Sequence, residues 1–227
     1  MNDVLGEALI DYQQGNHKHT LWIHNKYGDK EEMPVDTYFR TIENMSELEL
    51  LALATCNGEI LDIGAAAGCH SLILQQRKQN VTALDISNGA AATMQQRGIT
   101  NIIQADIFNY TKEQFDTLLF LMNGIGIAGT VEGLQSLLKS LEKILKPGGQ
   151  ILFDSSDVRY LYNKKLPVHY YGEIEYCYEY RKQLSGWFKW LYIDHITMQK
   201  VAADNNFHFE LIAEDEYDQY LGRLTRM

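Results

Sequence analysis

Between residues 46 and 154 the apolar positions follow two alternating rhythms: short unbroken runs, and stretches spaced three and four residues apart. The runs Glu59–Ile63, Val81–Asp85, Ile102–Ala105, Phe115–Met122 and Gln150–Asp154 have the length and composition of strands. Phe115–Met122 is nearly all apolar, as a strand covered on both faces should be. Ser46-Glu47-Leu48-Glu49 has the spacing of a capping box and opens a helix through about Ala54. Further helices are predicted over about Cys69–Arg77 and Asn88–Arg97. The clearest helix runs from about Val131 to Leu145. There Leu134, Leu137, Leu138, Leu141 and Leu145 fall at i, i+3, i+4, i+7 and i+11, and Pro147-Gly148-Gly149 stops it. Strand–helix alternation of this length predicts an α/β fold, a mostly parallel sheet with helices on both faces.

Outside this stretch the rhythm changes. Residues 1–45 are aromatic-rich and read as irregular, with Trp22, Tyr27, Tyr38 and Phe39. Residues 158–192 are rich in Tyr and Trp and alternate over Glu173–Arg181, which predicts a β-hairpin turning near Leu184-Ser185-Gly186. Asp194 is placed to cap a helix through about Asp204. Two strands close the chain, Phe207–Ala213 and Gln219–Leu224, joined tightly enough to be antiparallel. The whole chain, 1–227, is expected to form one domain, with 46–154 and 194–224 as its core. Ligands of open α/β sheets bind beyond the carboxyl ends of the strands. The aromatic segments 1–45 and 158–192 are therefore expected to form a cap over that edge, walling in a substrate.

Composition narrows the possible partners. With 20 Lys and Arg against 30 Asp and Glu, the net charge is −10, and basic residues gather only in pairs such as Lys164–Lys165 and Arg181–Lys182. A nucleic-acid partner needs a basic face, so none is expected. The three cysteines, Cys56, Cys69 and Cys177, form no Cys-x-x-Cys pair. The seven histidines show no metal-ligand spacing, so neither a disulfide framework nor a metal is expected. No signal peptide and no apolar run long enough to span a membrane is evident, and a cytoplasmic location is expected. The protein is expected to be a monomer or homodimer.

The chemistry gathers at strand ends. In Glu59-Ile-Leu-Asp-Ile-Gly-Ala-Ala-Ala-Gly-Cys69 a strand turns sharply into a helix. Gly64 allows positive φ and close approach of a ligand, and Gly68 allows the helix to pack on the strand. The small Ala65 and Ala66 keep the turn low, and N–H groups at the helix start are expected to be free for a polar group. Asp85 follows 21 residues after Gly64, at the end of the next strand, where a carboxylate accepts from ribose hydroxyls. Asp106 follows the third strand, placed to accept from an adenine amino group, with Ile86 and Ile107 on the two faces of the ring.

Taken together these motifs resemble the class I S-adenosylmethionine (SAM)-dependent methyltransferases, the seven-stranded Rossmann-like family. Leu61-Asp-Ile-Gly-Ala-Ala-Ala-Gly68 resembles its glycine motif, Leu84-Asp85 its ribose-binding acid and Ala105-Asp106-Ile107 its adenine contact. Met122-Asn123-Gly124 sits at its post-strand-four motif, and Leu145-Lys-Pro-Gly-Gly-Gln150 precedes its fifth strand. Ala66 stands where the family usually has its middle glycine, and Asn123 is not part of an Asn-Pro-Pro-Tyr motif. The resemblance implies a seven-stranded sheet with its last strand antiparallel. It also implies SAM as cofactor, S-adenosylhomocysteine (SAH) as product, and Asp62, Asn123 and Gly124 as further cofactor contacts. Methyl would pass by in-line displacement to an O or N atom of a small molecule. A base is needed only where the acceptor must lose a proton, and Asp154 and Asp157, or a histidine from the amino-terminal cap, are the candidates. Two alternatives are an NAD(P)-dependent oxidoreductase, which Gly64-Ala-Ala-Ala-Gly68 fits poorly for want of G-x-G-x-x-G, and a non-catalytic SAM- or metabolite-binding protein.

Overall fold

The computed structural model describes residues 2–162 and 165–227; Asn163, Lys164 and Met1 lie outside the described residues, and with them half of the basic pair Lys164–Lys165. The chain opens with helix α1 (Val4–Gln13), strands β1 (Trp22–Asn25) and β2 (Glu31–Glu32), and helix α2 (Glu47–Thr55). Next come β3 (Glu59–Ile63), α3 (Cys69–Gln76), β4 (Asn80–Asp85), α4 (Asn88–Gln96) and β5 (Ile102–Gln104). β6 (Phe115–Phe120), α5 (Val131–Ile144) and β7 (Leu145–Ser156) follow. The remainder is β8 (Glu173–Tyr180), β9 (Gln183–Leu184), β10 (Phe188–Leu191), α6 (His195–Asp204), β11 (Phe207–Glu214) and β12 (Gln219–Arg226).

A seven-stranded sheet in the order β11-β12-β7-β6-β3-β4-β5 forms the centre. β7, β6, β3, β4 and β5 run parallel; β12 lies antiparallel between β7 and β11. This is the Rossmann-like methyltransferase arrangement. The chain builds outward from β3 to β5, then restarts with β6 on the other side of β3, so a topological switch point opens there. The leucines of α5 face the sheet: Leu134, Leu137, Leu138 and Leu141 are fully buried beside Phe120 and Phe153. α2 and α3 cover the other face with Leu53, Ile73 and Leu74. The capping box closes as its sequence spacing implies. Ser46 Oγ accepts from Glu49 N, and the Glu49 carboxylate accepts from Ser46 N.

The two aromatic segments meet in a second, antiparallel sheet, in which β1 and β10 flank β8, with β2 outside β1 and the short β9 also on β8. Two expectations change here. The amino-terminal stretch is not irregular, because Asp3 caps α1 through its side chain. α1 was hidden by Gly6, a poor helix former in a short helix. That glycine is needed where α1 crosses α4: a Cβ on Gly89 would lie 2.4 Å from the backbone of Gly6. The tight hairpin turn falls at Arg181–Lys182, both in the left-handed region with φ of 50° and 64°. Gly186, φ 84°, makes a second bend between β9 and β10. The positive-φ pair carries no Asn-Gly or Asp-Gly signal, so the only glycine nearby drew the expectation to itself.

Gly89→Ala should therefore detach α1. Helix propensity alone would favour Ala by about 1 kcal/mol, but the clash should outweigh it and cost about 1–3 kcal/mol. Faster proteolysis before residue 20 and a lower melting temperature are expected; a variant more stable than the parent would refute the close crossing.

Candidate functional site

A cleft of about 390 Å³ opens at the carboxyl ends of β3, β4 and β5. Its walls include Ile63, Gly64, Leu84, Asp85, Ile86, Asp106 and Ile107 from the sheet. Asn2, Asp3, Val4 and Leu5 line it from the amino terminus, and Tyr178, Phe188 and Trp190 from the second sheet. Gly64 sits at φ 72°, and a Cβ there would meet nothing within 4 Å, so the space above it belongs to the cleft. Ile86 is 68% exposed, an apolar side chain at the mouth, while Ile107 is buried beneath.

Asp85 is held from two sides: Ala66 N donates to Oδ2 at 2.9 Å and Ser87 N to Oδ1 at 2.9 Å. Burial raises its pKa, those two bonds oppose the rise, and neighbouring Asp3 adds to it. Each oxygen keeps acceptor capacity for a ligand. Asp3 in turn accepts from Ser87 Oγ at 2.8 Å and Gly89 N at 2.9 Å, which seats α1 on the rim. Asp106 caps the short turn after β5, accepting from Phe108 N and Asn109 Nδ2 at 3.0 and 2.8 Å.

The glycine turn differs in detail from the sequence reading. Three of the amides before the helix are taken up inside the turn. Gly64 N and Ala65 N donate to Leu84 O at 2.8 and 3.1 Å, and Gly68 N to Ala65 O at 2.6 Å. Ala66 is at φ 50°, so the turn demands a left-handed residue where the chain has alanine, at about 1–2 kcal/mol over glycine. Gly68, φ 74°, is the close-packing position, since a Cβ there would lie 2.1 Å from Ile99 Cδ1.

Several candidate residues lie outside the cleft wall. Ala65 and Ala66 are buried in the turn. Asp62 is 2% exposed and accepts from Ser71 Oγ at 2.6 Å. Asn123, at φ 55°, fastens three elements: its N donates to Asp154 Oδ1 at 2.8 Å, its Nδ2 to Leu191 O at 3.1 Å, and its Oδ1 accepts from Ser155 Oγ at 2.8 Å. Gly124 is buried behind it. Asp157 accepts from Arg159 N in the loop after β7. Asp154 is deeper: burial pushes its pKa up to about 7, against the bond from Asn123. Behind it lies a buried ion network. Glu49 accepts from both Arg40 guanidinium nitrogens and sits 2.9 Å from His70 Nε2. Burial would raise the Glu49 pKa, but bonds from His70, Ser46 and Arg40 win and hold it at about 2.

Sequence reasoning expected segments 1–45 and 158–192 over this edge but did not single out Asn2, Asp3, Val4, Leu5, Tyr178 or Phe188, whose placement depends on pairing across 150 residues of chain. The three cysteines are free and buried. Among the described residues no His, Cys, Asp and Glu group is arranged for a metal, and no helix is long and apolar enough to cross a membrane.

A glycine turn at a switch point, a ribose-height carboxylate and an apolar slot beside it define a nucleoside-binding α/β fold. Comparison with known proteins makes this specific. Residues 61–153 match a family described as a methyltransferase domain. A SAM-dependent methyltransferase from Bacteroides fragilis, solved with SAH, is 39% identical over 99% of this chain and 94% of its own, with a TM-score of 0.92. Two more distant structures share the fold. The sugar N-methyltransferase KedS8 from Streptoalloteichus is 16% identical over 90% of this chain and 97% of its own, TM-score 0.60. The amino pentose methyltransferase CalS10 from Micromonospora echinaspora is 14% identical over 82% and 93%, TM-score 0.59. Comparison with curated proteins gives no match. The chain belongs to the SAM-dependent methyltransferases; it is an enzyme whose cofactor is SAM.

The raised Asp154 pKa has a stability consequence. A carboxyl whose folded pKa lies above its unfolded value of about 4 stabilises the fold fully below pH 4 and loses that contribution as pH rises through about 7. Asp154→Asn, which preserves the acceptor for Asn123 N, should thus gain melting temperature over the parent at pH 8 and little at pH 4.5. An equal difference at both pH values in thermal melts would contradict the assignment.

Proposed function

We propose that the enzyme methylates an O or N atom of a small molecule, binding SAM in the cleft between Gly64, Asp85 and Ile86. The observation that carries the reading is the coincidence of open space over Gly64 with a double-anchored Asp85 at one cleft wall. The residues present fit the cofactor. Asp85 has acceptor capacity for both ribose hydroxyls, and Ile86, Ile107 and Asp106 line the same cleft, where two apolar side chains and an acceptor suit adenine. SAM supplies a methyl group already activated on a sulfonium, which leaves as a neutral thioether without help from an acid. What this chain contributes is alignment and exclusion of water. Holding two reactants in line accounts for as much as about 7–11 kcal/mol of barrier in well-oriented systems.

On this reading Gly64 gives room for the methionine portion and the second sheet closes the acceptor side as a cap. Support comes from the shared wall: Tyr178, Phe188 and Trp190 of that sheet face the same cleft as Asp85. KedS8 and CalS10 are both named as acting on sugars, which agrees with a small acceptor. The acidic chain, at −10, agrees with the absence of a nucleic-acid acceptor.

Two substitutions test the cofactor site. Asp85→Ala should weaken SAH binding by about 1.5–3 kcal/mol, the range for hydrogen bonds to a charged group; unchanged affinity in a folded variant, measured by calorimetry, would sink the ribose assignment. Gly64→Val should abolish SAM and SAH binding while the protein stays folded, because its side chain enters empty space rather than the core. Normal affinity there would place the cofactor elsewhere.

A further inference from the structure

Four tyrosines bridge the cofactor cleft and Asp154. Tyr38 comes from the amino-terminal segment, Tyr176 and Tyr178 from β8, and Tyr192 from the link between β10 and α6. Tyr38 and Tyr178 act on one another's ionisation, and Tyr176 OH donates to Tyr192 OH at 3.3 Å. Tyr38 is within electrostatic reach of Asp85, and Tyr192 of Asp154. Tyr178 lines the cleft with Asp85, and Tyr192 follows Leu191, which shares Asn123 with Asp154, so the row of phenols leads from the cleft toward the end of β7. Tyr176, Tyr178, Tyr192 and Asp154 all keep some accessible surface.

The electrostatic character of this wall is one-sided. Burial raises the pKa of all four phenols, so they are neutral at ordinary pH. The ionisable groups acting on the phenols and on Asp154 are mostly acids or further phenols: Asp85 on Tyr38, Glu31 on Tyr176, Tyr160 on Tyr192, Glu49 on Asp154, and Tyr220 facing Asp154. The cation among them, His70, is committed to Glu49 at 2.9 Å. Lys189, on the cleft wall, is paired with Glu173 at 3.2 Å. Among the described residues, an anionic acceptor would find hydroxyl donors at this wall but no uncommitted cation, whereas a cationic one meets phenol oxygens, ring faces and a carboxyl.

Resting on the methyl-transfer reading above, we propose that the acceptor is the amine of a small polar molecule, held by this tyrosine row, and that Asp154 takes its proton. An ammonium has no lone pair to attack with. It first gives a proton to the Asp154 carboxylate. The freed nitrogen lone pair then forms the N–C bond as the methyl C–S bond breaks, and that bond's electron pair stays on sulfur. The methylated ammonium leaves or sheds its proton to water, and Asp154 returns its own proton to solvent. Asn123 N, on Oδ1 at 2.8 Å, fixes the carboxyl's direction. Its position near neutrality suits a base that must be ionised yet able to hold a proton.

The experiment uses the full chain and two matched triplets as probes: phenethylamine, phenethyl alcohol and phenylacetate, and glucosamine, glucose and glucuronate. Binding is measured with SAH present and turnover with SAM. The amine of at least one triplet should be methylated and bind about tenfold or more tighter than its acid partner, equivalent to about 1.4 kcal/mol. Its kcat should fall below about pH 7. Asp154→Asn should lower kcat about 100-fold or more and remove that limb, with SAH affinity unchanged; Asp154→Glu should keep a pH-dependent activity. Methylation or tighter binding confined to the alcohols or acids would overturn the amine assignment and leave the methyl-transfer reading standing, as would no turnover of either amine while SAH binds. Full kcat and an unaltered pH profile in Asp154→Asn would overturn the role of Asp154. Failure of the parent to bind SAH at all would bring down the methyl-transfer reading, and this one with it.

Discussion

Burying the Asp85 carboxylate is costly, and much of the architecture follows from how that cost is met. Its two oxygens take one backbone N–H from the turn after β3 and one from the turn after β4, so the two crossover turns are locked to each other. Ser87 continues the chain of contacts by donating to Asp3, which seats α1 across α4. Asp11, on the same helix, accepts from Tyr180 OH at 2.7 Å and pairs with Arg181; Tyr180 ends β8 of the second sheet and Arg181 starts the hairpin turn that follows it. One buried acid is thereby connected through a single short helix to the second sheet. The left-handed Ala66 belongs to the same device: that conformation turns its N–H onto Asp85, and the chain tolerates the strain to keep the contact.

What the sequence shows clearly is local. The strand–turn–helix at 59–76, the capping box at Ser46, the leucine stripe of α5 and the Asp194 cap each depend on neighbours a few residues away, and each stands as its spacing implies. The seven-stranded order was legible only through resemblance, because nothing in a strand's own composition says which strand lies beside it. The pairing of β1 with β8 was not legible, since Trp22 and Glu179 become partners through a register set by distant turns. The hairpin turn was misplaced because two positive-φ residues there are Arg and Lys, against the usual chemistry of such turns.

In the candidate site the same division holds. Gly64, Asp85, Ile86, Asp106 and Ile107 fall on the cleft wall, all at or just beyond the ends of successive strands. Asn123 is the informative exception. Its position after β6 suggested ligand contact, but its amide bonds reach Ser155 and Leu191, residues that sequence cannot bring near. A polar side chain at a strand's carboxyl end has two possible employers, a ligand and the neighbouring loops. Only the distance to the loops decides between them.

The distribution of acids over the central sheet gives the strongest argument that the carboxyl edge is a working surface. At the amino edge Asp116 accepts from Glu59 N and Lys146 Nζ, and those bonds hold its pKa below the ordinary value. That is how an acid placed for stability behaves. Toward the carboxyl edge Asp62, Asp85 and Asp154 are all raised by burial, and the bonds they receive do not cancel it. A fold selected for stability alone would exchange such groups for amides or apolar residues of similar volume. Keeping three destabilised carboxyls on β3, β4 and β7, one of them sharing a cleft with Tyr178 of the second sheet, makes sense where an unmet negative charge is needed. On the proposed reading the ribose hydroxyls answer one such charge, and the tyrosine row leads from there to another.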